Sequence, residues 1–349
     1  MRNKADRFSG PRPRALPWDG ARNTSHGRAV GFGGALLVLC AMLSIASTVR
    51  AVPPIPIEQR IVATITKTFA APDANAMHMP TDLAIDSHGN IIVADGANDR
   101  LAQFKSEGAF VGYLTNIGED YFARPVGVTF DAKDNLWVAD TGNHRVLIIS
   151  AIGQVTERIA LPKGDEGKLA GPTSVAVARD GSRAYIIDNA NHRVLIRDNR
   201  TGAITAMGKS GRALGQFEFP FMTCIGLQNY VFITEAVGGR VQQVSPDDRW
   251  AGTIGHVGVT LGDLYRPKGL TTDARGQLYV GDSSLNVIQA FSPRGVVIGV
   301  LTDGDGQPLQ FQHPMGMRFD KQGNLYVVEL RANRVAVVSI QSSPPATKP

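Results

Sequence analysis

Between residues 70 and 340 one pattern recurs six times, and a chain written in that way folds as stacked copies of one small unit. The pattern is anchored by Pro80, Pro125, Pro172, Pro220, Pro267 and Pro314, spaced 45, 47, 48, 47 and 47 residues apart. Three places before each proline stands a large apolar residue: Met77, Phe122, Leu169, Phe217, Leu264 and Phe311. After the proline comes a short strand, 126–130 in the second copy, and then a turn around Gly89, Asp134, Gly181, Asn229, Gly276 or Gly323. A second strand follows and ends in an acid in every copy: Asp95, Asp140, Asp188, Glu235, Asp282 and Glu329. Five residues later Arg100, Arg145, Arg193, Arg240 and Arg334 open a third strand, with Val287 in their place in the fifth copy. A looser fourth strand, such as 110–114, completes the unit. Four short strands are not stable alone, but radial stacking buries both faces of each sheet. The spacing therefore predicts an all-β, six-bladed β-propeller of four-stranded antiparallel blades over residues 52–340. The sixth copy stops after three strands, and an orphan strand at 60–66 would complete that last blade and close the ring. Helical periodicity is absent from residues 52–349.

A net charge of +5 invites an acidic partner, so the charge has to be located first. Residues 1–51 hold eight basic and two acidic groups, which leaves 28 basic against 29 acidic groups beyond them. The excess belongs to the leader, and no nucleic-acid partner is expected of the rest. Within the leader, residues 29–49 are uncharged, follow a basic segment and end near Val49-Arg50-Ala51. This reads as a signal peptide cut before Val52 or as an uncleaved N-terminal membrane anchor. Either way the positive side stays in the cytoplasm and the remainder is exported, to the periplasm or the extracellular space. Contact with a membrane is expected only through that segment. Cleavage would leave Cys224 as the only cysteine, and so no intramolecular disulfide. Residues 341–349 read as a disordered tail.

Asp140-Thr-Gly-Asn-His-Arg145, after Leu136-Trp-Val-Ala139, and Asp188-Asn-Ala-Asn-His-Arg193 resemble the signature of NHL repeats. The resemblance covers about 270 residues and implies a six-bladed NHL propeller of the exported bacterial type. NHL propellers include RNA-binding domains of tripartite-motif proteins, the lyase domain of peptide-amidating enzymes, sensor domains of receptor kinases and many exported proteins. Fold alone does not choose among these.

In a propeller the loop entering the inner strand and the loop between second and third strands open on one face, around the central channel. Here they carry the proline segment and the acid-to-arginine segment. The acid and arginine pairs (Asp95 with Arg100, Asp140 with Arg145, Asp188 with Arg193, Glu235 with Arg240, Glu329 with Arg334) recur at constant spacing and read as structural ion pairs. Departures from the repeat say more. Asp82 stands two places after its proline, where small residues are the habit, and Arg318 stands four places after its own, among Ala, Thr and Cys. They read as a pair across neighbouring blades, or as channel-lining residues that hold a polar ligand. Directly before the prolines come Met79, Arg124, Gly171, Phe219, Arg266 and His313, with His78 and Tyr265 one place further back, a basic and aromatic rim for the channel mouth.

The amidating lyase that the resemblance brings in holds zinc with histidines of its propeller, so His78 and His313 are candidate ligands. Its histidine directly after the repeat proline is missing: Thr81, Val126, Thr173, Phe221, Lys268 and Met315 stand there. His144 and His192 occupy the ordinary histidine place of the repeat. Cys224 reads as a packed hydrophobe, and Asp303-Gly-Asp-Gly306 as a turn rather than a calcium loop, since no glutamate follows at the needed spacing. The expectation is therefore a binding or interaction module with a protein, peptide or glycan partner on the proline-bearing face, its ligand-binding candidates being Asp82, Arg124, Tyr265, Arg266, His313 and Arg318. Enzymatic activity is the lesser expectation. The alternative is a metal-dependent propeller enzyme, amidating-lyase-like or lactonase-like, with its site at the central channel. Zinc or calcium would belong to that alternative and neither is expected.

Overall fold

A computed structural model describes residues 55–341. The leader, its apolar stretch 29–49 and the tail from residue 342 lie outside the described residues. The described chain is all-β: strands alternate with seven single-turn 3-10 segments, and there is no α-helix among them. The second repeat shows how the unit is made. Pro125–Phe130, Leu136–Asp140, Arg145–Ile149 and Val155–Ala160 pair antiparallel, each with the next. Leu136–Asp140 is buried along its whole length, which is why it reads as an unbroken apolar run rather than an alternation. The turn before it passes through Asp134 at φ 59°, in the left-handed region that Asp tolerates better than most residues.

The strands of the first four repeats make four separate four-stranded sheets. Those of the fifth and sixth repeats are joined into one eight-stranded sheet by β1, Arg60–Phe69. β1 is longer than the strand expected at 60–66 and pairs on both sides. Its residues from Ala63 on run antiparallel to Arg334–Ile340 of the sixth repeat, and Arg60 to Val62 run parallel to Val297–Thr302 of the fifth. Two further two-stranded ladders, at 116–121 and 209–217, lie in loops between repeats and were not expected.

The core sits between sheets. Ala84, Ala94 and Leu101 of the first repeat pack on Val128, Val138 and Leu147 of the second, and the same arrangement recurs from repeat to repeat. The first strands of successive repeats adjoin, the sixth against the first included. There Gly316 N–H donates to Thr81 O at 2.9 Å. A Cβ at Gly316 would collide with Asp82, so glycine is what permits this approach. The proline-bearing ends of all six strands thereby come together.

Candidate active site at the proline-bearing ends

All six repeat acids are fully buried and spend their oxygens alike. One oxygen accepts an N–H from the segment just before the proline: His78 to Asp95, Ala123 to Asp140, Gly171 to Asp188, Glu218 to Glu235, Tyr265 and Arg266 to Asp282, Gln312 to Glu329. In five repeats the other oxygen accepts the arginine Nε, at 2.7 Å for Asp95–Arg100, 2.8 Å for Asp140–Arg145 and Asp188–Arg193, and 2.5 Å for Glu235–Arg240 and Glu329–Arg334. In the fifth, where Val287 cannot reach, Asp282 Oδ1 instead accepts Ser284 N–H and Leu285 N–H. The acids are therefore fully engaged in holding the proline segments in place.

A second device, absent from the expectations, joins a repeat to the next at four of the six junctions. The residue before the third strand has a left-handed backbone, φ 54° at Asp99, 52° at His192, 61° at Asn286 and 53° at Asn333. Its side chain accepts the N–H of the residue before the next proline: Asp99 from Arg124, His192 Nδ1 from Phe219, Asn286 from His313, and Asn333 from Met79. His144 instead bonds Ala170 O through Nδ1. Asp, Asn and His share this place because each tolerates positive φ and carries an acceptor one or two bonds from Cβ.

On this frame the structure assembles a cationic group from the fourth, fifth and sixth repeats. Lys268, directly after Pro267, is half-buried, and its Nζ lies 5.2 Å from the centre of the Phe221 ring. Among the described residues Nζ has no hydrogen-bond or ion-pair partner. Burial first, and then the neighbouring Arg266 charge, hold its pKa below the ordinary lysine value. The Arg266 guanidinium lies over the Tyr265 ring, 5.3 Å from its centre, and donates to Ala236 O. His313 is pushed below its usual value by burial, then by the Lys268 and Arg331 charges, with Asp282 opposing. Phe221 packs both on the fifth-repeat core and on the cluster that contains Met315 of the sixth. Phe219, with its ring 4.7 Å from that of His192, stands beside it at the exposed lip. Of the rim residues singled out from the sequence, Tyr265, Arg266 and His313 thus come together. Arg124 is exposed, and none of its hydrogen bonds or ion pairs ties it to this group.

Asp82 and Arg318 lie further along their strands and meet each other, Arg318 Nη2 standing 3.6 Å from Asp82 Oδ2. The buried Asp82 carboxylate also accepts Leu83 N–H and, from the next repeat, Val128 N–H. Burial still raises its pKa, against the pull of Arg318 and the two N–H groups. Arg318 reaches on to Val128 O and places its charge near Cys224 of the fourth repeat, whose thiol burial pushes up to about 12. A thiol so placed is no nucleophile at neutral pH.

The zinc implied by the resemblance does not suit the donors present. Among the described residues no group of three or more His, Cys, Asp or Glu is arranged to hold a metal ion. His78 is exposed and gathers no further ligand with His313, while His144 and His192 each commit Nδ1 to the neighbouring backbone. Asp303 Oδ1 accepts Asp305 N–H and Gln307 N–H, as a turn does. The residues that matter most here and escaped notice are Lys268, Phe221 and Arg331. The signal was present: a lysine among Thr, Val, Phe and Met at one place of the repeat.

The family model of the NHL repeat matches residues 122–149. It is 25% identical over 236 residues to peptidyl-glycine alpha-amidating monooxygenase B of Xenopus laevis, covering 64% of this chain and 27% of that one. It is 26% identical over 168 residues to a probable peptidyl-alpha-hydroxyglycine alpha-amidating lyase of Caenorhabditis elegans, covering 45% of this chain and 44% of the other. The chain thus spans about a quarter to under a half of the length of these relatives. Among solved structures, virginiamycin B lyase of Staphylococcus aureus superposes with a TM-score of 0.55 at 16% identity, over 74% of this chain and 80% of that one, which shows the propeller-type fold. These findings overturn the expectation of a binding module without enzymatic activity: the relatives by sequence are named as enzymes.

Proposed function

We propose that the chain is a closed six-bladed propeller enzyme of the lyase kind, with its reaction centre at the channel mouth on the proline-bearing face and an anionic substrate. Closure by β1 is supported by its pairing on both sides and by the contact of Gly316 with Thr81. One observation carries the siting: Arg266 and Lys268 lie together, with His313 and the exposed Arg331 next to them, and the neighbouring Asp282 already spends its oxygens on four N–H groups. Uncompensated positive charge in a partly desolvated mouth is costly to keep and attracts an anion. It also stabilises negative charge that develops as a bond within the substrate breaks. Phe219, Phe221 and Tyr265 supply apolar surface beside it for the rest of the substrate.

The test is turnover by the full chain of a peptidyl-α-hydroxyglycine and of virginiamycin B, the substrates that the names of one relative and of one structure of similar fold print. Arg266→Ala with Arg331→Ala is expected to lower kcat/KM about 100-fold, the loss of two charge-stabilising contacts at about 1.4 kcal/mol each. Lys105→Met, in an exposed turn, is expected to leave it unchanged. Full activity in the folded double arginine variant would move the site elsewhere.

A further inference from the structure

The place directly after the repeat proline, where the resemblance leads one to look for a metal-binding histidine, carries an ionisable side chain in one repeat of six, and that side chain is Lys268. A lysine at a protein surface is ordinarily hydrated or ion-paired. This one leans on the Phe221 face from the fourth repeat, beside Arg266 on its own segment and His313 from the sixth, and His313 in turn feels the charge of the exposed Arg331. The acid near this group, Asp282, is buried and saturated by backbone N–H groups. An amine beside a guanidinium, against an aromatic ring and in contact with no carboxylate, has the surroundings of a base rather than of a structural charge.

Building on the lyase reading, we infer that Lys268 is the proton acceptor of the bond-breaking step, and that this step needs no metal ion held by the protein. The neutral Nζ takes a proton from the substrate, and the electron pair of that bond forms the new double bond. The scissile bond breaks with its pair on the leaving group, which then takes the proton back from the Lys268 ammonium. Atoms and charge balance, and nothing is oxidised or reduced. Arg266 and Arg331, charged at every working pH, face the negative charge on the departing fragment. The lowered pKa of Lys268 enlarges the share of free amine near neutral pH.

Two measurements on the full chain test this. In the first, acetic anhydride is applied at limiting concentration near pH 7.5, and peptide mass spectrometry follows Lys268 against Lys105. Lys268 is expected to acetylate about tenfold faster, because its lowered pKa leaves a larger share of free amine at this pH. Equal or slower acetylation overturns the inference whatever the enzyme does. In the second, turnover of the peptidyl-α-hydroxyglycine is measured after exhaustive chelation. It is expected to persist, to fall at least about 100-fold in Lys268→Met and in Lys268→Arg, and to return in part when Lys268→Cys is alkylated with 2-bromoethylamine. The arginine variant keeps the charge and guards against a folding defect in the methionine one. Activity abolished by chelation, or kept in both variants, overturns the inference and leaves the lyase reading standing. Rapid acetylation without turnover of either substrate overturns the lyase reading, and the inferred step with it.

Discussion

Asp82 and Arg318 show what a single departure from the repeat demands of its surroundings. Asp82 is 1% exposed and is supported by two N–H groups and a guanidinium, and Gly316, having no side chain, leaves room for its carboxylate. Removing the cation leaves a buried carboxylate supported by backbone alone, and Arg318→Met is expected to cost about 3 kcal/mol. The sign of its pH dependence follows from the raised pKa of Asp82. Because the folded state binds the proton more tightly than the unfolded one, this group's stability contribution is complete below 3.8 and lost as pH rises through the folded value. Without Arg318 the folded value climbs further. The gap between variant and wild type in urea-unfolding midpoints should therefore widen as pH rises above 3.8; a constant gap would show that the cation does not support Asp82. Lys268 gives the opposite case. Its pKa is lowered, so the protonated form penalises the fold below the folded value, and the penalty lifts as pH rises toward 10.5. Lys268→Met is expected to raise stability at neutral pH by about 1 kcal/mol, a gain that vanishes above pH 10.5, while activity is lost. A thermal melt at neutral pH and another at high pH check the sign.

At the scale of elements, strands and hairpins were legible because their signals are local. Unbroken apolar runs such as Leu136–Ala139 and turn residues such as Gly89 and Asp134 follow directly from pleat and backbone sterics. The side-chain clasp between repeats was not legible. Asp99, His192, Asn286 and Asn333 look unrelated as letters and share only a left-handed backbone, between φ 52° and 61°. The candidate site was legible in half: Tyr265, Arg266 and His313 stood out as a rim, whereas Lys268 was read only for the histidine it is not. Its nearness to Phe221 and to the sixth repeat arises from sheet packing, which no spacing encodes. The clasp can be tested where it joins the last repeat to the first. Asn333 Oδ1 accepts Met79 N–H at 2.8 Å, and Asn333→Ala is expected to cost about 1 kcal/mol, with most of it kept in Asn333→Asp. Paired urea denaturations would read this, and an Asp variant as weak as the Ala one would argue that the residue acts through its backbone conformation instead.

For the whole molecule the decisive seam is the one that no loop spans, where the sixth repeat meets the first. On the outer side β1 pairs with the sixth and fifth repeats, with Ala63 opposite Ile340 and Arg60 opposite Val300, while Gly316 N–H donates to Thr81 O on the inner side. Ala63 is 1% exposed and stands at the change from parallel to antiparallel pairing. A proline there removes a ladder N–H and forces the strand away from both partners, at a cost of about 3 kcal/mol or more. For a unit of this size that corresponds to a fall in Tm of about 6 °C or more. It also frees the edges of Val297–Thr302 and Arg334–Ile340, and unpaired edges recruit further strands. Ala63→Pro is therefore expected to melt early and to form dimers and larger species in size-exclusion chromatography with light scattering. A peptide of residues 55–69 in excess should return it toward the monomer. Because Asn333→Ala weakens the same seam, the double variant should lose more stability than the two single losses together. Simple additivity, with a monomeric Ala63→Pro of unchanged Tm, would mean that the sheets hold together at this seam without β1.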